Sequence, residues 1–332
     1  MKILLAITIL TISFLFVSCF KEDEKVTPHG NVTFSIDSSI YDYQCFFRLD
    51  SARLTSVKSN NLWQIAFDAS PEGWKININS SSYYGVYPTG EINFENINPV
   101  TDPDKYIFDA ASGNPDSTAF GKWIDRSSVP FLPTGEIFLI GKYNGINYTP
   151  EWMVKFTSYT DSGYTFQFSE IGGIPVEKTI KKDAGYIRMY FNLNEGGSLI
   201  EVEPHKNEWD FVFSQYGTIL FTNEGVPTPY FVRGVLLNTD GVSVALDSIS
   251  AFADIDFDHA EFLQFNSATD AIGHNWKNPV IDFNSGTAVY LTRSDFNYII
   301  KDKDGFLYKL RFIDFYNNLA MPGYPTFELQ KL

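Results

Sequence analysis

A tryptophan-led motif that occurs twice constrains the fold of this chain more than any other feature. The second copy reads NEWDFVF, in which Trp209, Phe211 and Phe213 occupy alternate positions, and the first copy reads NNLWQIAF around Trp63. This period of two is typical of a strand with one buried face. The two tryptophans are 146 positions apart. Because solenoid repeats are roughly 20–50 residues long, this spacing predicts two copies of a whole domain.

The segments around this motif repeat in the same order. Phe47 and Phe191 each begin a run that leads through a polar turn to the tryptophan. The hairpin-like segments LIGKYNGINY and IIKDKDGFLYKLRF follow at Leu139 and Ile299. Several matched features in one order favour a duplication over a single large domain.

Strand signals dominate both copies. Aromatic residues make up 17% of the chain, with 30 Phe and 19 Tyr, and such side chains favour sheets. Asn144-Gly145 and Asp304-Gly305 stand between apolar runs and indicate hairpins, the first with a type I′ turn. We therefore predict an all-β protein of two tandem antiparallel β-sandwich-like domains, residues 31–180 and 181–332, joined at the polar segment that begins with Ile180.

Charge and cysteine content exclude several classes of partner and chemistry. The net charge of −15 argues against nucleic acid or an anionic membrane surface as partner, because both require clustered Lys and Arg. After Cys19, Cys45 is the only cysteine, so the folded part has no internal disulfide. The sequence contains no HExxH, phosphate loop, dinucleotide fingerprint or Gly-x-Ser-x-Gly motif, and we predict that the protein is not an enzyme.

The N-terminus predicts an export signal with a lipid anchor. Residues 1–18 contain an apolar run that is shorter than the roughly 20 residues needed to span a bilayer, which favours a signal peptide over a membrane helix. Cys19 follows a small residue and is the predicted site of lipid attachment, where several acyl chains would anchor the protein stably. An ordinary secreted protein is the alternative. Residues 19–30 are charged and predict a flexible tether.

Five segments of the C-terminal copy carry a family resemblance. They are WDFVF at Trp209, PYFVRGVLLN at Pro229, IGHNWK at Ile272, YIIKDKDGFLYKLRFIDFY at Tyr298 and GYPTFELQKL at Gly323. Together they resemble the HmuY-like family of Bacteroidetes surface lipoproteins, which is named for a haem-binding member. The resemblance implies an antiparallel all-β fold with a ligand cleft formed by loops at one end of the sheets. The N-terminal copy resembles the family only through the internal repeat.

The resemblance also implies haem as a cofactor, held through a pair of axial ligands. His and Met are the side chains that usually hold haem iron, and His259, His274 and Met321 are the candidates in the C-terminal copy. Both histidines lie in a loop-like region where a cleft could form. The alternative for each is a surface or hydrogen-bonded role without iron.

Two functions follow as hypotheses. The first is a cell-surface lipoprotein that binds haem or a similar flat hydrophobic ligand and passes it to an outer-membrane importer. The acidic run after Cys19 resembles the surface-export signal of Bacteroidetes lipoproteins and implies the outward face of the outer membrane. The second is a carbohydrate- or protein-binding adhesion module without haem. Sugar rings or a porphyrin could stack on exposed aromatic residues, with candidates Tyr83, Tyr84, Tyr87, Trp123, Tyr148 and Trp152. The favoured alternative is that most of these side chains belong to the core, since an aromatic-rich β domain has to bury them.

Overall fold

The computed structural model describes residues 30–332 except 41, 128, 222–223 and 283–286, and it describes only the backbone at 227, 281–282 and 287–288. The signal peptide, the lipid attachment at Cys19 and nearly all of the tether lie outside the described residues and stay predictions. Within the described part, no helix is both long enough and apolar enough to cross a membrane.

Strands account for nearly all regular structure in the described part, and the single α-helix there, α1, spans Phe257–Glu261. The strands are β1 Val32–Ser35, β2 Tyr43–Arg48, β3 Arg53–Ser59, β4 Ile65–Asp68, β5 Ile76–Ile78, β6 Tyr84–Pro88, β7 Ile124–Asp125, β8 Leu132–Pro133, β9 Ile137–Tyr143, β10 Tyr148–Thr160, β11 Gly163–Glu170, β12 Val176–Lys181, β13 Arg188–Asn192, β14 Ser198–Ile200, β15 Phe211–Phe221, β16 Pro227–Leu237, β17 Ser243–Asp247, β18 Lys277–Asp282, β19 Thr287–Thr292, β20 Asn297–Lys301, β21 Leu307–Tyr316 and β22 Pro322–Lys331.

Four larger sheets, all antiparallel, form two sandwiches. Sheet I has the order β12-β11-β10-β9-β6 and sheet II the order β14-β13-β4-β5. Sheet III has the order β16-β15-β2-β3 and sheet IV the order β1-β22-β21-β20-β17. The short pairs β7-β8 and β18-β19 stand apart from these sheets. The predicted all-β antiparallel fold is confirmed.

Each sandwich has its own aromatic core. Sheets I and II enclose one cluster that includes Phe67, Phe156 and Phe166, and we call this pair the middle sandwich. Sheets III and IV enclose another that includes Phe213 and Phe327, and we call this pair the C-terminal sandwich. Successive residues of a strand point to opposite faces, so sheets II and III also present side chains to each other, outside both cores.

The two sandwiches exchange their leading hairpins. Hairpin 1, which is β2-β3, pairs with β15, where Phe47 lies opposite Phe211. Hairpin 2, which is β13-β14, pairs with β4, where Phe191 lies opposite Ile65. Strand β1 also joins the C-terminal sandwich, through β22. The sheets therefore cross the predicted boundary at residues 180 and 181, and the division into domains at that point stays a prediction.

Both tryptophans lie outside the sandwich cores, and here the predicted alternation is wrong. Phe211 and Phe213 belong to the core of the C-terminal sandwich, whereas Trp209 packs with Phe46 on the opposite face of sheet III. Trp63 packs with Tyr190 in the same way on sheet II. The reason is local, because the chain bends between each tryptophan and the strand that follows it.

Both predicted hairpins are present. Strands β9 and β10 meet at Tyr143 and Tyr148, so Asn144-Gly145 lies in a four-residue loop, and the expected two-residue type I′ turn is wrong. The Asn144 N–H donates to the Asn147 carbonyl at 3.1 Å, and this bond closes the loop. Strands β20 and β21 pair up to Lys301 and Leu307, with Gly305 at a φ of 88° between them.

Candidate ligand sites

A cavity of about 120 Å³ lies between sheets II and III. Trp63 and Tyr190 line it from sheet II, and Trp209 and Phe46 line it from sheet III. The Trp63 indole contacts the ring of Tyr190 in hairpin 2 edge to face, with centroids 4.8 Å apart. The Trp209 indole contacts the ring of Phe46 in hairpin 1 in the same way, with centroids 5.1 Å apart. Each indole thus packs on the hairpin that precedes the other tryptophan. Equivalent positions of the two repeats thus face each other across one cavity.

This cavity is too small for a porphyrin. Pockets for drug-sized ligands measure about 300–1,000 Å³, whereas this cavity measures about 120 Å³. A flat hydrophobic ligand therefore requires another site.

Arg188 connects this cavity to a polar cleft of about 330 Å³ that is lined by Asp68, Lys75 and Lys206. Burial acts against its charge, but Tyr190 and Glu203 keep the pKa of Arg188 above its usual value. The Glu203 carboxylate accepts the backbone N–H of Arg188 at 2.8 Å and the hydroxyl of Tyr190 at 3.0 Å. Burial raises the pKa of Glu203.

Asp109 completes the charged lining of the cavity. Its carboxylate accepts the Ala119 N–H at 2.7 Å, the Ile78 N–H at 3.0 Å and the Asn77 amide at 2.9 Å. Burial raises the pKa of Asp109 to about 6. Asp109 and Glu203 both lie close enough to Arg188 to interact with its charge. The Arg188 guanidinium is therefore balanced by carboxylates of the protein and does not require a bound anion. This network of charges was not predicted from the sequence. Its only signal was the charged Arg188 at the start of the apolar run MYF.

His274 lies at the base of the β18-β19 hairpin, against β15 and β16. Its Nδ1 is 3.4 Å from the Tyr216 hydroxyl, and the preceding Gly273 bridges to Val235 of β16. This contact through Nδ1 leaves Nε2 as a possible metal ligand. Burial, followed by the charge of Lys277, lowers the pKa of His274, so the imidazole stays neutral, as ligation requires.

Lys277 fixes the same region. Its Nζ donates to the Arg233 carbonyl at 2.7 Å and lies 4.3 Å from the ring centroid of Trp276. Burial, with a smaller contribution from Arg233, lowers the pKa of Lys277 to about 7.

His259 lies on α1, where its Nε2 is 2.8 Å from Asp247 Oδ2. Burial alone would raise the pKa of Asp247, but the N–H groups of Ser250 and Ile249, together with His259, hold it at about 2. A carboxylate on one ring nitrogen is the usual support for a metal-binding histidine, and it leaves Nδ1 for a ligand.

Met321 is 56% exposed in the turn before β22, where its N–H donates to Asn317 Oδ1 at 3.0 Å. Among the described residues, no hydrogen bond joins any two of His259, His274 and Met321. Their role as haem ligands stays a prediction.

Most of the candidate stacking aromatics are buried. Tyr84, Trp123, Tyr148 and Trp152 belong to the middle sandwich and are at most 7% exposed, whereas Tyr83 is 38% exposed. The ring of Tyr83 meets Phe231 at 4.5 Å. Four of the six candidates are therefore core residues, as the favoured alternative expected of most of them.

Comparison with known proteins gives one family match, in the C-terminal part of the chain. Residues 187–329 match the family model for the HmuY protein. This region belongs to the HmuY family. The match begins at hairpin 2 and ends in β22, so the HmuY region includes the hairpin that this chain lends to the middle sandwich. No curated protein matches the chain.

Several solved structures from Bacteroidetes are similar at low identity. One, described as a HmuY-like haem-binding protein of Bacteroides vulgatus, is 11% identical, covers 92% of this chain and 96% of its own, and has a TM-score of 0.24. The apo HmuY analogue of Tannerella forsythia is 9% identical, covers 93% and 98%, and has a TM-score of 0.25. A protein of Bacteroides fragilis described as a lipoprotein is 17% identical, covers 46% and 76%, and has a TM-score of 0.23. These TM-scores are too low to support an argument about fold or ligand.

Proposed function

We propose that this protein is a non-catalytic lipoprotein on the outward face of the outer membrane that binds haem or a similar flat hydrophobic ligand and delivers it to an outer-membrane importer. The HmuY match over residues 187–329 carries this proposal. The predicted signal peptide and Cys19 supply the anchor.

The ligand site of this proposal lies where the β15-β16 and β18-β19 hairpins meet. His274 contacts Tyr216 of β15, and Lys277 at the start of β18 donates to Arg233 of β16. Both hairpins carry exposed apolar side chains, with Phe221 70% and Leu291 57% exposed. Exposed apolar side chains and a neutral imidazole on these two hairpins suit a planar apolar ligand that carries a metal.

His274 is the primary iron ligand in this proposal, with His259 or Met321 as the second candidate. His274 is favoured because the Tyr216 contact on Nδ1 orients the ring and because burial keeps it neutral. His259 has the stronger orienting partner, in Asp247, but it lies on a different element, α1.

A haemin titration of residues 30–332, followed in the Soret region, tests the proposal. We expect a shifted Soret band with saturable binding, and at least about tenfold weaker binding, or about 1.4 kcal/mol, in His274→Ala. His205→Ala is the matched control, because His205 lies in a turn away from the β15-β16 and β18-β19 hairpins. Absence of any Soret change would remove haem as the ligand, and retention by polysaccharide would then favour the adhesion module.

A further inference from the structure

The hairpin exchange creates two equivalent acceptor edges. In the second repeat, the Asp210 carboxylate accepts the Leu49 N–H at 2.7 Å, and the Asp210 N–H donates to the Phe47 carbonyl at 2.8 Å. In the first repeat, the Gln64 amide oxygen accepts the Leu193 N–H at 2.8 Å, and the Gln64 N–H donates to the Phe191 carbonyl. The same pair of bonds thus fixes each hairpin to the repeat that it does not precede.

Each sandwich would be left open without the other half of the chain. Removal of hairpin 1 uncovers β15, and with β1 also gone it uncovers β22, whose pairing runs from Leu329 to Thr326. Removal of hairpin 2 uncovers β4 and takes Phe191 out of the middle core. Uncovered edges and open cores favour association with another chain over a stable monomer.

We propose that β4 and β15 are docking edges for the leading hairpin of a second repeat, so that the two halves of the chain complete each other and can do so as separate molecules. The partner that these edges fit is thus another copy of this repeat, whether it comes from the same chain or from a second one. The proposal does not depend on haem.

A chain cut between the repeats tests this. A protease site inserted between Asp183 and Ala184, both exposed, yields residues 30–183 and 184–332, and every described strand is retained. We expect the cut protein to remain a 1:1 complex, because each half holds the hairpin of the other. After denaturation and separation, neither half should give a folded monomer, and mixing should restore the complex.

Tryptophan signals report hairpin docking directly. Trp63 lies against Tyr190 of hairpin 2, and Trp209 lies against Phe46 of hairpin 1, so fluorescence and near-ultraviolet circular dichroism should change when the halves part and recover when they mix. A half that is a folded monomer alone would overturn the proposal. So would halves that fail to associate under conditions in which the intact chain refolds.

Paired variants separate the hairpins from the rest of the interface. Asp210→Ala removes the acceptor of the Leu49 N–H and should weaken association of the cut halves at least about tenfold. Ser81→Ala removes a contact between the sandwiches that involves no hairpin, the Ser81 hydroxyl to the Gln215 carbonyl at 2.6 Å, and should change association by less than about twofold. Equal effects of the two variants would contradict docking through the hairpin.

Discussion

Asp210 and Leu49 are joined by a 2.7 Å hydrogen bond across 161 positions of sequence. The Asp210 side chain belongs to the second tryptophan motif, and the Leu49 N–H lies in the turn between β2 and β3 of hairpin 1. Burial raises the pKa of Asp210 to about 6, against the effect of this bond. The carboxyl therefore stabilises the hairpin through its acceptor oxygen, while its charge is poorly solvated.

Substitutions at Asp210 should separate these two roles. Asp210→Ala leaves a buried N–H without a partner, and we expect it to lower the free energy of unfolding by about 1–3 kcal/mol. Asp210→Asn keeps an oxygen acceptor and removes the buried charge, so it should cost less at pH 7. Urea unfolding of both variants measures the difference. A larger loss of unfolding free energy in Asp210→Asn than in Asp210→Ala would contradict the role of the Asp210 oxygen as the acceptor that stabilises hairpin 1.

Asn79 and Asn238 should be equally important, because they hold the two tryptophan segments in the same way. The Asn79 amide donates to the carbonyls of Asn60 and Trp63 at 2.6 and 2.8 Å. The Asn238 amide donates to those of Lys206 and Trp209 at 2.9 and 2.7 Å. Replacement of either by Ala leaves two carbonyls without this donor, and we expect a loss of about 2–4 kcal/mol for each.

Denaturant unfolding measures both losses, with Asn98→Ala as the control. Asn98 is exposed and donates only a long bond of 3.4 Å to Asn96, so its replacement should change stability by less than about 0.5 kcal/mol. If replacement of Asn79 or Asn238 left stability unchanged, the two asparagines would not have the same structural role in the two repeats.

The sequence revealed the duplication because alternation and turn signals are local. It could not assign hairpin partners, because hairpin 1 and hairpin 2 have the same pattern and fit the same kind of edge. The choice depends on how the connections run in space, and no side-chain pattern encodes that. The face of sheet III on which Trp209 lies was predicted wrongly for a related reason. A bend at Asp210 breaks the alternation of faces that a continuous strand would impose.

The candidate iron-binding side chains could be named from residue type alone, but the residues that surround them could not be predicted. The sequence named His259 and His274, but the partners that orient them, Asp247 and Tyr216, are 12 and 58 positions away. The burial of Lys277 was equally hidden, because Tyr290 and Phe315, whose rings lie near its amine, come from β19 and β21. Long-range packing therefore decides which ring nitrogen of each histidine is held by a partner.

The buried amine of Lys277 should make stability depend on pH above neutrality. Burial holds its pKa at about 7 in the folded protein, against 10.5 for the free side chain, so the unfolded chain binds one more proton between these values. Stability contributed by the neutral amine is fully present above pH 10.5, decreases progressively as the pH falls from 10.5 to 7, and is lost below 7. Wild type should therefore gain about 1.4 kcal/mol per pH unit relative to Lys277→Met between pH 7 and 9.5.

Urea unfolding across that pH range measures the slope. Lys181→Met, on the exposed part of β12, is the control and should parallel wild type. If Lys277→Met also paralleled wild type, the amine would not be buried as described.

Gly234 should control the position of His274 because β16 and the loop before β18 touch through backbone atoms there. A Cβ on Gly234 would lie 2.4 Å from the Gly273 carbonyl oxygen and 2.9 Å from the His274 nitrogen, so Gly234→Ala must push this loop away from β16. We expect a stability loss of about 1–3 kcal/mol and a change in the pKa of His274, followed by NMR, as the ring leaves Tyr216. If His274 is the iron ligand, haemin affinity should fall in the same variant.

Gly30→Ala is the control, since no atom lies within 4 Å of a Cβ at that position, and it should leave stability and the pKa of His274 unchanged. An unchanged His274 titration in Gly234→Ala would show that the loop before β18 is not held by its contact with Gly234.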